Sequence, residues 1–182
     1  MDIGRSILLN HSPRHRLDAG SFGTMGVGLG FAIAAALHCQ ATAPTKRVIC
    51  VEGDSAFGFS GMEFEVAARY KLPIVFIVVN NSGIYQGIEA SALPDDRFSA
   101  AMPVTQLSLG ARYDKIAEVV GDDAGRGFLA RTPAELESAL AEALKLRVPT
   151  IINVIIRNQQ ERKQQPHAWL TNADKKVAKS KL

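Results

Sequence analysis

Two unbroken apolar runs mark the middle of the chain, Val48 to Val51 and Ile74 to Val79. Runs of this length predict strands covered on both faces, as in a parallel sheet. The first ends in Gly53-Asp54-Ser55 and the second in Asn80-Asn81-Ser82-Gly83. Between them, about Gly61 to Tyr70 predicts a helix with Phe64, Ala67 and Ala68 toward the sheet. Leu72-Pro73 stops it, because the residue before proline avoids helical backbone. Glu63 and Glu65 fall in its first turns, where the helix dipole favours acids. That makes them solvated helix-start carboxylates rather than general bases. The whole stretch is one βαβ unit, whose two strands are expected to lie parallel and adjacent.

The alternation continues on either side. Met1 to Asn10 predicts a helix with Ile3, Ile7 and Leu8 on one face. His11 to Arg16 is a polar loop, and its His11 and His15 read as surface residues. A glycine cluster, Gly20 to Gly30, runs into a buried helix over Phe31 to Leu37. Cys39 to Lys46 is a connector closed around Pro44. Ile84 to Arg97 lacks periodicity and predicts a loop with an acidic turn at Pro94-Asp95-Asp96. Ala111 to Val120 predicts a helix and Gly127 to Ala130 a short strand. Thr132-Pro133-Ala134-Glu135 is a capping box with proline at the first helical position. The helix it starts carries an apolar stripe of Leu136, Ala139, Leu140, Ala143 and Leu144. Val148-Pro149 ends it, and Thr150 to Ile156 is a final apolar strand. The expected fold is α/β, three layers in α/β/α order around a mainly parallel sheet.

Composition sharpens this only at the C-terminus. The 182 residues suffice for one domain with a good core, and 47% apolar against 21% charged residues predicts a globular chain. The net charge of +3 is uneven. From Arg157 onward there are seven basic and two acidic side chains; before it there are fourteen and sixteen. We therefore expect a domain over 1–156 and a basic tail over 157–182. No aromatic-studded basic face accompanies the charge, which argues against nucleic acid. No apolar run is long enough to span a bilayer and no signal-peptide pattern opens the chain, so no membrane role is expected. Cys39 and Cys50 lack metal-ligand spacing and read as buried thiols in a reducing compartment.

The candidate chemistry lies where the two central strands end. Ligands of open parallel sheets sit beyond the carboxyl ends of the strands. Asp54 would bring a carboxylate there, Asn81 an amide oxygen and Gly83 a backbone carbonyl. Three such oxygens suit Mg²⁺, which shares its remaining positions with phosphate and water. Backbone N–H groups from Gly53 through Asp54 and Ser55 to Ala56 are placed to cradle the phosphate. Each turn alone is an ordinary strand-end turn; the pair across one crossover is far more specific. A Mg-dependent phosphotransferase of the aspartyl-phosphate type would want a second Asp two places after the first, where Ala56 stands. The glycine cluster is not a dinucleotide fingerprint, since no apolar strand precedes it and the spacing is not G-x-G-x-x-G.

Gly53-Asp54, an intervening helix and Asn80-Asn81 together resemble the diphosphate-binding motif of thiamine diphosphate enzymes. Most members have glycine where this chain has Ser55. The longer strings EGDSAFGFSGMEFE and NNSGIYQG resemble the 2-hydroxyacyl-CoA lyase and oxalyl-CoA decarboxylase branch, where serine is usual. The resemblance implies thiamine diphosphate and Mg²⁺ as cofactors. It implies Asp54, Asn81 and Gly83 as metal ligands, and places Gly53, Ser55, Ala56, Ile84 and Tyr85 in the cofactor and substrate pocket. It also gives a role to Gly23-Thr24-Met25: the Gly23 carbonyl would meet the cofactor's amino group, and Met25 would wedge between its rings.

For function, the resemblance implies cleavage of the C1–C2 bond of a 2-hydroxyacyl-CoA, giving formyl-CoA and an aldehyde one carbon shorter. Oxalyl-CoA decarboxylase is the alternative, and a non-catalytic subunit of the same fold a third. No catalytic residue is expected within this chain. Family members use a glutamate from a pyrimidine-binding N-terminal domain, usually of a partner subunit, and 182 residues are too few to contain that domain. A homo-oligomer, dimer or tetramer, is therefore expected for the full-length enzyme, with an acyl-CoA as substrate. In the tail, Arg162-Lys163 and Trp169-Leu170-Thr171 resemble the lyase, whose C-terminal segment folds over the active site. The terminal Ser180-Lys181-Leu182 reads as a peroxisomal address.

Overall fold

The computed structural model describes residues 2–96, 98–121 and 123–158. Its elements run α1 (Asp2–Ile7), α2 (Val27–Thr42), β1 (Val48–Gly53), α3 (Asp54–Ser60), α4 (Glu63–Arg69), β2 (Ile74–Asn80), α5 (Ile116–Val119), β3 (Arg126–Ala130), α6 (Pro133–Lys145) and β4 (Thr150–Ile155). The four strands form one sheet in the order β1-β2-β4-β3, and every pairing is parallel. The expected α/β/α architecture is what the chain adopts.

Side-chain alternation along β2 divides the core in two. Ile74, Phe76 and Val78 face one way and pack with Leu29, Ala32 and Ala36 of α2, Phe57 of α3, Phe64 and Ala67 of α4 and Ala117 of α5. Val75 faces the other way, with Ile152, Ala130 and the α6 residues Ala139 and Ala143. Phe64 and Phe76 meet edge to face, with ring centroids 5.7 Å apart, a preferred aromatic geometry. The capping box of α6 forms as expected. The Glu135 amide donates to the Thr132 hydroxyl, and the Glu135 carboxylate accepts from the Thr132 amide.

Several local expectations need correcting. The helix between β1 and β2 is two helices, and the first begins at Asp54 itself, upstream of the expected start. The break falls at Gly61-Met62. A Cβ at Gly61 would come within 2.9 Å of the Phe57 ring, so this is a close approach that only glycine permits. The helix expected over Ala111 to Val120 is shorter: a 3-10 turn, Tyr113–Lys115, runs into the one-turn α5. On α1, Ile7 and the following Leu8 are exposed rather than buried. α2 is not buried all round; it hides Leu29, Ala32 and Ala36 but leaves Phe31 and Leu37 exposed. Leu144, assigned to the apolar stripe of α6, is also exposed. The tail beyond Asn158, with Arg162, Trp169 and Ser180-Lys181-Leu182, lies outside the described residues.

Candidate cofactor and metal site

The sheet register builds the site. β1 pairs with β2 so that Gly53 lies opposite Val79. The chain therefore leaves β1 at Asp54 beside the point where β2 ends at Asn80, and both turns open on the same sheet edge. Asp54 is the first residue of α3 and is almost wholly buried. One carboxylate oxygen accepts from the Ser55 amide at 3.0 Å. The other accepts from the Gly83 amide at 3.1 Å. That same Gly83 amide reaches the Asn81 side-chain oxygen at 3.3 Å. Two hard oxygens from two strand ends thus converge on one electropositive N–H.

The convergence is held from behind. The Asn81 side-chain amide donates to the Tyr85 carbonyl at 2.8 Å. Ser82 has a left-handed backbone, φ +61°, which a serine rarely adopts. Its carbonyl accepts from the Gln106 side chain and the Leu107 amide, and its hydroxyl accepts from the Gly110 amide. A Cβ on Gly83 would meet the Gly87 Cα at 3.0 Å and the Thr105 carbonyl at 3.2 Å, so the segment from residue 105 presses directly on the turn.

Burial pushes the Asp54 carboxyl above the usual range, while amide bonds from Ser55, Gly83 and Ser82 pull it back. A carboxylate placed like this gains by pairing with a cation. Beside it lies a cavity of about 350 Å³ lined by Asp54, Ser55, Gly58, Phe59, Ile84, Leu107 and Tyr113. Burial also raises the Tyr113 hydroxyl, with the Asp54 charge adding to the effect. Among the described residues no cluster of three or more His, Cys, Asp or Glu side chains exists to hold a metal. The donors here are one carboxylate and one amide, oxygens that fit a hard divalent cation keeping other positions for phosphate and water.

The sequence-derived residues separate into two groups. Asp54, Asn81 and Gly83 come together, and Ser55 and Ile84 share the cavity with Asp54. Gly83 presents its N–H to both oxygens. The Ser55 amide is already engaged by Asp54. Tyr85, also of left-handed backbone, is 92% exposed and does not line the cavity.

Gly23, Thr24 and Met25 stand apart, in an exposed loop before α2. That loop is pinned to the far end of α3. The Ser60 hydroxyl donates to the Gly26 carbonyl at 2.7 Å, and a Cβ on Gly26 would lie 2.6 Å from the Phe59 Cβ. The six steps from Asp54 to Ser60 along α3 span roughly 9 Å at about 1.5 Å each. Glu52 adds a second anchor by accepting from the Gly28 amide. Phe59, Leu107 and Tyr113 line the cavity without having carried a sequence signal. Nor does sequence reasoning single out Asn153, although an asparagine inside the apolar run TIINVI is a signal of a kind.

A parallel sheet with its oxygen donors gathered at two neighbouring strand ends defines a cofactor-binding α/β domain. The comparisons are more specific. The family described as thiamine pyrophosphate enzyme, C-terminal TPP binding domain, matches residues 2–154. The chain belongs to this family. It is 51% identical over 179 residues to 2-hydroxyacyl-CoA lyase 1 of Mus musculus, which covers 96% of this chain and 30% of that one. Oxalyl-CoA decarboxylase of Escherichia coli K12 is 42% identical over 158 residues, 86% of this chain and 26% of that one. The chain thus spans about 30% of the length of such relatives. Among solved structures, the thiamine diphosphate-dependent 4-hydroxybenzoylformate decarboxylase of Rhodococcus jostii RHA1 superposes with a TM-score of 0.58 at 26% identity, over 77% of this chain and 24% of that one. Benzoylformate decarboxylase of Polynucleobacter necessarius shares the fold, with a TM-score of 0.62 at 22% identity over 78% and 25% of the two chains.

Proposed function

We propose that this chain is the diphosphate- and Mg²⁺-binding domain of a thiamine diphosphate-dependent 2-hydroxyacyl-CoA lyase. The reaction would cleave a 2-hydroxyacyl-CoA to formyl-CoA and an aldehyde one carbon shorter. The observation that carries the reading is the meeting of the Asp54 and Asn81 oxygens at the Gly83 amide. Two oxygens that both reach one N–H are close enough to grip one ion.

In this reading the Asp54 and Asn81 side-chain oxygens and the Gly83 carbonyl hold Mg²⁺, and Gly53, Ser55 and Ala56 face the diphosphate. The bound cofactor supplies the electron sink for breaking a carbon–carbon bond. The chain's own residues position it. Gly23, Thr24 and Met25 serve its pyrimidine end, and the roughly 9 Å length of α3 supports such a separation. Ile84 lines the space between, and Tyr85 sits at the substrate side. Residues 1–156 make up the domain, and 157–182 form a basic tail suited to CoA phosphates. The glutamate that activates the cofactor comes from the pyrimidine-binding domain of a partner subunit in a homo-oligomer. Ser180-Lys181-Leu182 directs the protein to peroxisomes, in keeping with α-oxidation of fatty acids.

Asp54→Ala in the full-length enzyme is expected to abolish Mg²⁺-dependent turnover and the rise in Tm on adding Mg²⁺ with thiamine diphosphate. Retention of both would remove Asp54 from the ligand set. The similarity to oxalyl-CoA decarboxylase keeps that activity as a second reading. Parallel assays with oxalyl-CoA and a long-chain 2-hydroxyacyl-CoA separate the two.

A further inference from the structure

Asn153 lies in the middle of β4, wholly buried among Ile151, Ile152 and Val154. An amide there costs desolvation unless every polar atom finds a partner. Each one does. Its side-chain nitrogen donates to the Ala111 carbonyl at 2.8 Å and to an Asp114 carboxylate oxygen at 3.2 Å. Its oxygen accepts from the Asn80 side chain at 3.2 Å. Asn80 also donates to the Ala111 carbonyl, and its own oxygen accepts from the Ser82 amide at 3.0 Å. Asp114 is closed off by Arg112, at 2.6 Å.

The chain of contacts therefore runs Arg112, Asp114, Asn153, Asn80, Ser82. It ends on the residue whose left-handed backbone aims the Gly83 amide at Asp54 and Asn81. A strained backbone persists only where its surroundings over-determine it. An apolar residue of similar size would satisfy the packing around β4 without any of this.

We propose that Asn153 is a positioning residue for the metal turn, acting through Asn80 to hold Ser82 in its left-handed conformation. It touches neither the ion nor the cofactor. The inference rests on the metal-site reading above and extends it to a residue on a different strand.

The test uses the full-length enzyme and measures Mg²⁺ affinity in the presence of thiamine diphosphate, by calorimetry and by the Mg²⁺-dependent rise in Tm. Asn153→Val is expected to weaken Mg²⁺ at least tenfold. Adding Ser82→Gly to that variant is expected to recover much of the loss, because glycine adopts positive φ without strain. Affinity within twofold of the parent, together with a lowered Tm, would make Asn153 a packing residue only and overturn the proposal. So would a tenfold loss that Ser82→Gly leaves untouched. Should Asn153→Val fail to fold, the same measurement on Asn153→Thr, which removes the amide that meets Asn80 but keeps a polar group in the buried site, decides with the same tenfold and twofold limits. If the parent enzyme itself shows no Mg²⁺ response, it is the site reading that fails.

Discussion

Ser82 shows how one residue can carry a site without contributing a ligand. A left-handed non-glycine backbone costs about 1–2 kcal/mol, and here Ser82 accepts hydrogen bonds from Gln106, Leu107 and Gly110 and donates its amide to Asn80. Cys50 is the opposite case, a reactive type made inert by position. Burial, with the charge of Glu52 adding to it, pushes its thiol up to about 12. Below that pH the group stays neutral, and the thiolate is the nucleophile. Native protein at pH 8 is therefore expected to protect Cys50 from iodoacetamide, with labelling appearing only in urea. Native labelling at the rate of a free thiol would contradict the burial. At this scale the sequence is uneven as a guide. Asp54 and Asn81 are legible because each follows an apolar run into a polar turn. Tyr113 and Leu107 are not, because nothing local distinguishes a tyrosine lining a cavity from one lining a core.

Among the elements, the strands were the easier part to read. Ile74–Asn80 and Thr150–Ile155 are apolar because both faces are covered, so they show in the sequence, whereas β1, at the sheet edge, leaves Ile49 and Val51 exposed on one face rather than covered as expected. The helices after β1 were harder. The split falls at Gly61, where a Cβ would crowd the Phe57 ring, a close approach with no local sequence pattern. α4 after the split carries Phe64, fully buried and edge to face with Phe76. Phe64→Ala is expected to destabilise the domain by about 3–5 kcal/mol, transfer loss and cavity together. The shift in urea midpoint of the domain's unfolding transition measures it. A loss below about 1 kcal/mol would mean that the site collapses freely around the smaller side chain.

At the level of the whole molecule, several large apolar side chains stand open to solvent. Phe22, Tyr85, Phe98 and Val104 are each nearly nine-tenths exposed or more. Exposed aromatic groups in such numbers fit a surface made to be covered. On the reading proposed here the catalytic glutamate arrives with that cover. The isolated 182-residue chain is accordingly expected to give no turnover of a 2-hydroxyacyl-CoA with thiamine diphosphate and Mg²⁺ supplied. Product formation by it would place a sufficient set of catalytic groups inside this domain. None of this was open to composition or periodicity; it became an expectation through the motif pair and its family resemblance.

The Gly83 amide has one hydrogen and two takers. A proton divided in this way binds neither acceptor at full strength, so both oxygens keep most of their capacity for a stronger positive partner. The turn is thereby shaped in advance yet only lightly latched, and giving up that shared hydrogen bond would be a small step when a doubly charged guest arrives.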